Sequence, residues 1–120
     1  MKPPHVPESA ILQACRRWLT EHGIFCWRNS TGAAKIGGRW IAFGLKGSSD
    51  ILGVLPDGRF LAVETKALAG RLSPEQKAFL ERVQQLGGVA IVARSVDDLE
   101  RELGDQDLLF EPESTRRKHG

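Results

Sequence analysis

The sequence predicts an α/β fold, a mixed β-sheet flanked by helices in the order α-β-β-β-α-β-α, and three stretches carry that prediction. DILGVLPDGRFLAVETK joins two apolar runs through Pro-Asp-Gly, which reads as a hairpin. SPEQKAFLERVQQLGG reads as an amphipathic helix with a Ser cap and a Gly stop. VAIVAR is a continuous apolar run, the pattern of a central strand buried on both faces. The helix between RFLAVETK and VAIVAR has the length of a parallel crossover, so the sheet is expected to be mixed.

Each element follows from its own residues. Pro7 suits the first turn of a helix, where a missing N–H costs nothing, and Ile11, Leu12, Cys15, Trp18 and Leu19 recur at helical spacing up to Gly23. Glu8 lies on that same stripe. It is either a first-turn acid in the helix dipole or a carboxylate turned inward for a purpose. Ile24–Asn29 reads as the first strand. A long loop rich in Gly and Ser follows, with Trp40–Phe43 as a possible short strand inside it. Core packing is the expected fate of Trp27 and Trp40, with stacking on bases as the alternative. Asp50–Leu55 and the RFLAVETK run form the hairpin.

Ser73 caps the next helix, with Pro74 at its first position and Gln76 closing an S-x-x-Q capping box. Its apolar stripe is Phe79, Leu80, Val83 and Leu86. Val89–Arg94 is the last strand, and Ser95 caps a short helix over Val96–Leu103. One domain is expected over 1–104, followed by a C-terminal tail over 105–120 that lacks a period and is expected to be partly disordered.

With 41% hydrophobic residues the chain can bury a core, and with 27% charged residues it should be soluble. No apolar run approaches the ~20 residues of a membrane span. The N-terminus carries no apolar segment of signal-peptide type, so a cytoplasmic protein is the expectation. Cys15 and Cys26 lack metal-site spacing and read as small buried hydrophobes. Net charge is only +2, but the cations concentrate early, in Arg16, Arg17, Arg28, Lys35, Arg39 and Lys46. A basic first third is compatible with a polyanionic partner. Charge alone slightly favours a scattered, solvated surface instead.

The hairpin makes a geometric claim. Pro56 and Asp57 suit the centre of a type I turn with Gly58 left-handed, which gives a three-residue loop. Leu55 then faces Arg59, Leu52 faces Ala62, and Asp50 faces Glu64. Lys66 shares the face of Glu64, because strand side chains repeat every two residues. Two carboxylates a few ångströms apart repel unless a cation neutralises them, and a hard divalent ion such as Mg²⁺ prefers such oxygens. Taken alone, Glu-x-Lys is common by chance and reads as a surface ion pair. The register of Asp50 and the basic loop leading into it turn the balance to a metal site.

These residues resemble the PD-(D/E)xK nuclease motif, and the wider run GLKGSSDILGVLPDGRFLAVETKALAGRLSPEQKAFL resembles the VRR-NUC domain, the virus-type replication-repair nuclease. The similarity covers roughly Glu8 to Leu99. It implies a restriction-endonuclease-like core and Mg²⁺- or Mn²⁺-dependent cleavage of DNA phosphodiesters. The family includes stand-alone phage and bacterial proteins of this size and a domain of a larger DNA-repair nuclease. The small forms are similar to Holliday junction resolvases, which implies branched DNA and a homodimer.

The resemblance assigns Asp50, Glu64 and Glu8 as metal-binding acids, Thr65 as a backbone-carbonyl ligand and Lys66 as the catalytic lysine. It matches Gln76 to an active-site glutamine, while its own residues equally suit a helix cap. Arg28, Lys35, Arg39 and Lys46 are the candidate phosphate contacts. The usual Pro before the first acid is Ser49 here. A flap or duplex nuclease working with a partner, and a non-catalytic DNA-binding module, are the alternative readings.

Overall fold

The computed structural model describes residues 5–104. Its order is α1 (Glu8–Glu21), β1 (Phe25–Arg28), β2 (Gly32–Ile36), β3 (Arg39–Phe43), β4 (Ile51–Val54), β5 (Phe60–Thr65), α2 (Pro74–Gln85), β6 (Val89–Ala93) and α3 (Val96–Leu103). The expected tail lies outside the described residues. Among the described residues no helix is long and apolar enough to cross a membrane.

The main sheet has the order β1-β4-β5-β6. β1, β4 and β5 are antiparallel neighbours, and β6 runs parallel to β5. The expected mixed sheet is therefore present. Its register is the one that a three-residue loop dictates: Leu52 pairs with Ala62, and the last ladder pair is Ile51 with Val63. The Leu55 N–H donates to the Arg59 carbonyl at 2.8 Å, and Gly58 takes φ +93°. The Asp57 carboxylate braces the loop by accepting from the Arg59 backbone N–H at 3.1 Å.

Alternation along the strands divides the core. Ile51, Leu61, Val63, Ile91 and Ala93 face one way and pack with Leu12, Cys15 and Leu19 of α1 and Leu99 and Leu103 of α3. Ala62 faces the other way and packs with Leu80 and Val83 of α2. Burial pushes the Cys15 thiol up to about 11, as for the buried hydrophobe expected there, whereas Cys26, whose thiol is also raised, is only half-buried against the core.

Four expectations need correction. β6 is an edge strand, not a central one. Its apolar run is explained by helices on both faces, with Ile91 and Ala93 in one cluster and Ala90 and Val92 against the other. The Gly-rich loop folds into a separate two-stranded ribbon, β2 against β3, whose first strand the sequence reading missed. The signal was Gly37-Gly38 between two short runs: both take positive φ, as a tight primed turn requires. Trp27 and Trp40 are 40% and 73% exposed, so neither joins the core, and Leu86, at 70%, leaves its stripe at the end of α2. Ser95 occupies the N-cap position of α3 without a side-chain cap bond; the Asp98 carboxylate instead accepts from the Arg94 N–H at 2.8 Å.

β5 and the turn that leads into it give a stability test. Leu61→Ala should lower unfolding free energy by about 2–5 kcal/mol, as for a fully buried Leu. Gly58→Ala, at an open turn position with positive φ, should lower it by about 1 kcal/mol. Urea denaturation of both variants checks the order, and equal losses would contradict the register described above.

Candidate metal and catalytic site

The site forms at the end of the sheet where β5 finishes and β4 begins. Asp50 directly precedes β4, and its carbonyl accepts from the Asn29 N–H at 2.7 Å, which keeps it in line with the strand. Its side chain takes over where the ladder stops. Asp50 Oδ2 accepts from both the Thr65 backbone N–H and the Thr65 hydroxyl, each at 2.9 Å. Thr65 was expected to offer only its carbonyl; its hydroxyl also fixes the first acid. Glu64 is 1% exposed and projects to the face of α2, and Lys66 extends the same alternation.

Glu8, Asp50 and Glu64 each contribute a carboxylate oxygen, and these atoms all lie within 4.8 Å of one another. They come from three separate elements. Glu8 is exposed at the first turn of α1, next to the buried Ile11 and Leu12, so the inward stripe does deliver it to the site. α1 and α2 both start at this end of the sheet, and the positive ends of their dipoles favour the acids. Lys66 Nζ stands 3.7 Å from Glu64 Oε2 with its side chain 12% exposed, so the pair is no surface ion pair.

Gln76 makes contacts both at the start of α2 and with an acid of the cluster. Its Oε1 accepts from the Ser73 N–H at 2.9 Å while the Ser73 hydroxyl accepts from the Gln76 N–H at 3.1 Å, completing the capping box. The same side chain uses its amide nitrogen to donate to Glu64 Oε2 at 3.2 Å. One residue caps α2 and orients the second acid.

Glu64 Oε1 is buried with no hydrogen-bond partner in the protein. Burial, then the charge and hydrogen bond of Asp50, raise the Glu64 pKa to about 8, and Lys66 only partly offsets them. Near neutral pH Glu64 therefore holds a proton. An all-carboxylate donor set with a buried, unpartnered oxygen fits a hard divalent cation.

Arg94 was not foreseen. Its guanidinium donates to the carbonyls of Ala67 and Gly70, each at 2.7 Å, and of Leu68 at 3.3 Å, which ties down the turn that directly follows Lys66. The parallel register of Thr65 with Ala93 contains the signal, since it sets Arg94 beside Lys66. Ser49 is fully buried and its hydroxyl has no partner in the protein. Its backbone carbonyl accepts from Asn29 Nδ2 at 3.0 Å, which ties the residue before Asp50 to the end of β1.

Of the expected phosphate contacts, Arg28 ends β1, Lys35 and Arg39 lie on the ribbon, and all three are exposed. Lys46 is exposed and stands 3.9 Å from Glu75, the neighbour of Gln76, in a solvent-screened pair of little energetic weight. A largely apolar groove of about 650 Å³, lined by Phe60, Phe79, Val83 and Leu86, lies at the opposite end of the sheet and contains none of Glu8, Asp50 and Glu64.

The raised Glu64 pKa fixes a pH dependence. Folding takes up a proton between the ordinary value of 4.5 and about 8, so this group stabilises the metal-free protein below that window and loses its contribution as pH rises through it. Glu64→Gln should therefore flatten the fall in melting temperature between those limits and raise it at the upper one. Divalent-ion binding should release the proton and strengthen with pH, which calorimetry in buffers of different ionisation enthalpy would measure.

No curated protein matches the chain at a significant level. The family model described as the VRR-NUC domain matches residues 6–97, a span that holds every acid of the site, Lys66, Gln76 and Arg94. With the motif residues assembled on a mixed sheet between helices, the chain belongs to the VRR-NUC domain family.

Proposed function

We propose that this chain is a Mg²⁺- or Mn²⁺-dependent DNA endonuclease acting on branched DNA such as a Holliday junction. The VRR-NUC domain indicates a nuclease-type, DNA-processing function. The observation that carries the finer reading is the convergence of Glu8, Asp50 and Glu64 within 4.8 Å, beside a lysine that is largely shielded from water.

Glu8, Asp50 and Glu64 would hold the cation, with the Thr65 carbonyl as the backbone ligand. When bound, the ion supplies charge neutralisation and a water that ionises near neutral pH. The protein's own residues do the rest. Thr65 holds Asp50 and Gln76 holds Glu64, so neither acid has to reorganise. Lys66 orients the attacking water or meets the negative charge that builds on the phosphate oxygens as the P–O bond breaks. Arg28, Lys35, Arg39 and Lys46 contact neighbouring phosphates, which makes binding sensitive to salt. A four-way junction has two-fold character and is resolved by two symmetric cuts, so the proposal includes a homodimer.

The decisive experiment incubates the protein with labelled four-way junction, flap and linear duplex, with Mg²⁺, with Mn²⁺ and with EDTA. Metal-dependent cleavage of the junction supports the proposal. Products confined to flap or duplex point to a different nuclease, and binding without products under either metal points to a non-catalytic module. Asp50→Ala and Lys66→Ala should each lower cleavage at least ~100-fold while preserving the fold; wild-type rates in either would remove that residue from the mechanism. Ser73→Ala and Gln76→Ala should both weaken the α2 cap by about 1 kcal/mol. Of the two, Gln76→Ala alone should slow cleavage beyond what the stability loss explains, because it alone frees Glu64.

A further inference from the structure

We propose that the β2–β3 ribbon is a nucleic-acid arm on which Trp40 stacks against an unpaired base at a branch or strand end; this rests on the DNA-nuclease reading above and names the part of the substrate that the ribbon takes. The ribbon contributes no residue to either core cluster of the described residues. It is held together by its own ladder, with Lys35 paired to Trp40 and Ala33 to Ala42. Cross-strand partners share a face, so Trp40 and Lys35 stand side by side, flanked by alanines. Small neighbours leave the indole ring uncovered, and Trp40 is 73% exposed. An aromatic plane beside an ammonium suits a base with its phosphate, since stacking tolerates any base and the cation meets the backbone.

Charge selects the partner. Between Glu21 and Asp50 the chain carries no Asp or Glu, and it carries Arg28, Lys35, Arg39 and Lys46. A second copy seated on this ribbon would oppose like charges across a symmetric contact, whereas a polyanion neutralises them. The ribbon also joins the body next to the chemistry: the segment after it leads to Lys46 beside Glu75, at the start of α2, and then to Asp50. A base held by Trp40 therefore belongs to the same DNA as the phosphate at the acids.

The test uses full-length protein carrying Asp50→Asn, which prevents cleavage, and compares binding to a splayed fork and to a blunt duplex of equal length by fluorescence anisotropy. Adding Trp40→Ala should weaken fork binding about tenfold, as for loss of one stacked base, and duplex binding less than twofold. Trp40→Phe should restore most of the fork affinity. Lys35→Ala should weaken both substrates alike and reduce the salt slope by about one. Trp40 is exposed, so its removal should leave the melting temperature unchanged. Fork binding by Trp40→Ala at the parent's affinity would overturn the inference alone. Equal losses on both DNAs together with a shift from dimer to monomer in sedimentation would overturn it in favour of a contact between copies. Failure of the parent to bind any DNA would overturn this inference and the nuclease reading together.

Discussion

The structure turns on the burial of Glu64. A carboxylate at the end of an interior strand, with another acid opposite it and one oxygen left without a donor, is unfavourable in the folded protein on its own terms. The sheet that makes it so is otherwise well packed, with Leu61, Ala62 and Val63 fully buried just before it. Stable packing on one side of the residue holds an electrostatic conflict on the other. A proton on Glu64 relieves that conflict, and the hard cation proposed for the site would relieve it further by neutralising all the acids at once.

The parts around Glu64 keep the acids from escaping the conflict by moving apart. Thr65 uses two donors on a single oxygen of Asp50. Gln76 is immobilised by the capping box before it reaches Glu64. Arg94 gathers the carbonyls of the turn behind Lys66, so the lysine leaves the sheet in a fixed direction. Each support comes from backbone geometry or a helix end and not from a flexible loop, which is how a small domain achieves preorganisation.

Much of this was legible in the chain because it depends on counting. The Pro-Asp-Gly loop sets the register, and the register sets Asp50 against Glu64. Gln76 was legible as a cap and, from the family resemblance, as a candidate site residue; that one side chain reaches both Ser73 and Glu64 required the distance from α2 to β5. The edge position of β6 was not legible, because an apolar run reports covered faces and says nothing about strand neighbours. β2 was missed because its Gly-Ala-Ala residues have weak strand preference, and only the Gly-Gly turn argued for pairing. The exposure of Trp40 was hidden for a related reason. Tryptophan suits a core, and only topology reveals that the ribbon has no core to join.

The chain distances between the acids have a consequence for how the protein comes to possess its site. Asp50 and Glu64 belong to one hairpin, and Lys66 and Gln76 follow within the next turn and helix, so these four can meet as soon as a local unit has formed. Glu8 belongs to the far end of the chain and arrives only when α1 docks across the sheet. Local contacts close early and distant ones late in folding. The site should therefore mature in two stages, first a pair of acids with its lysine, then the third carboxylate as the N-terminal helix settles. On that order the proposed cation site would be completed last, by the element that lies farthest from it along the chain.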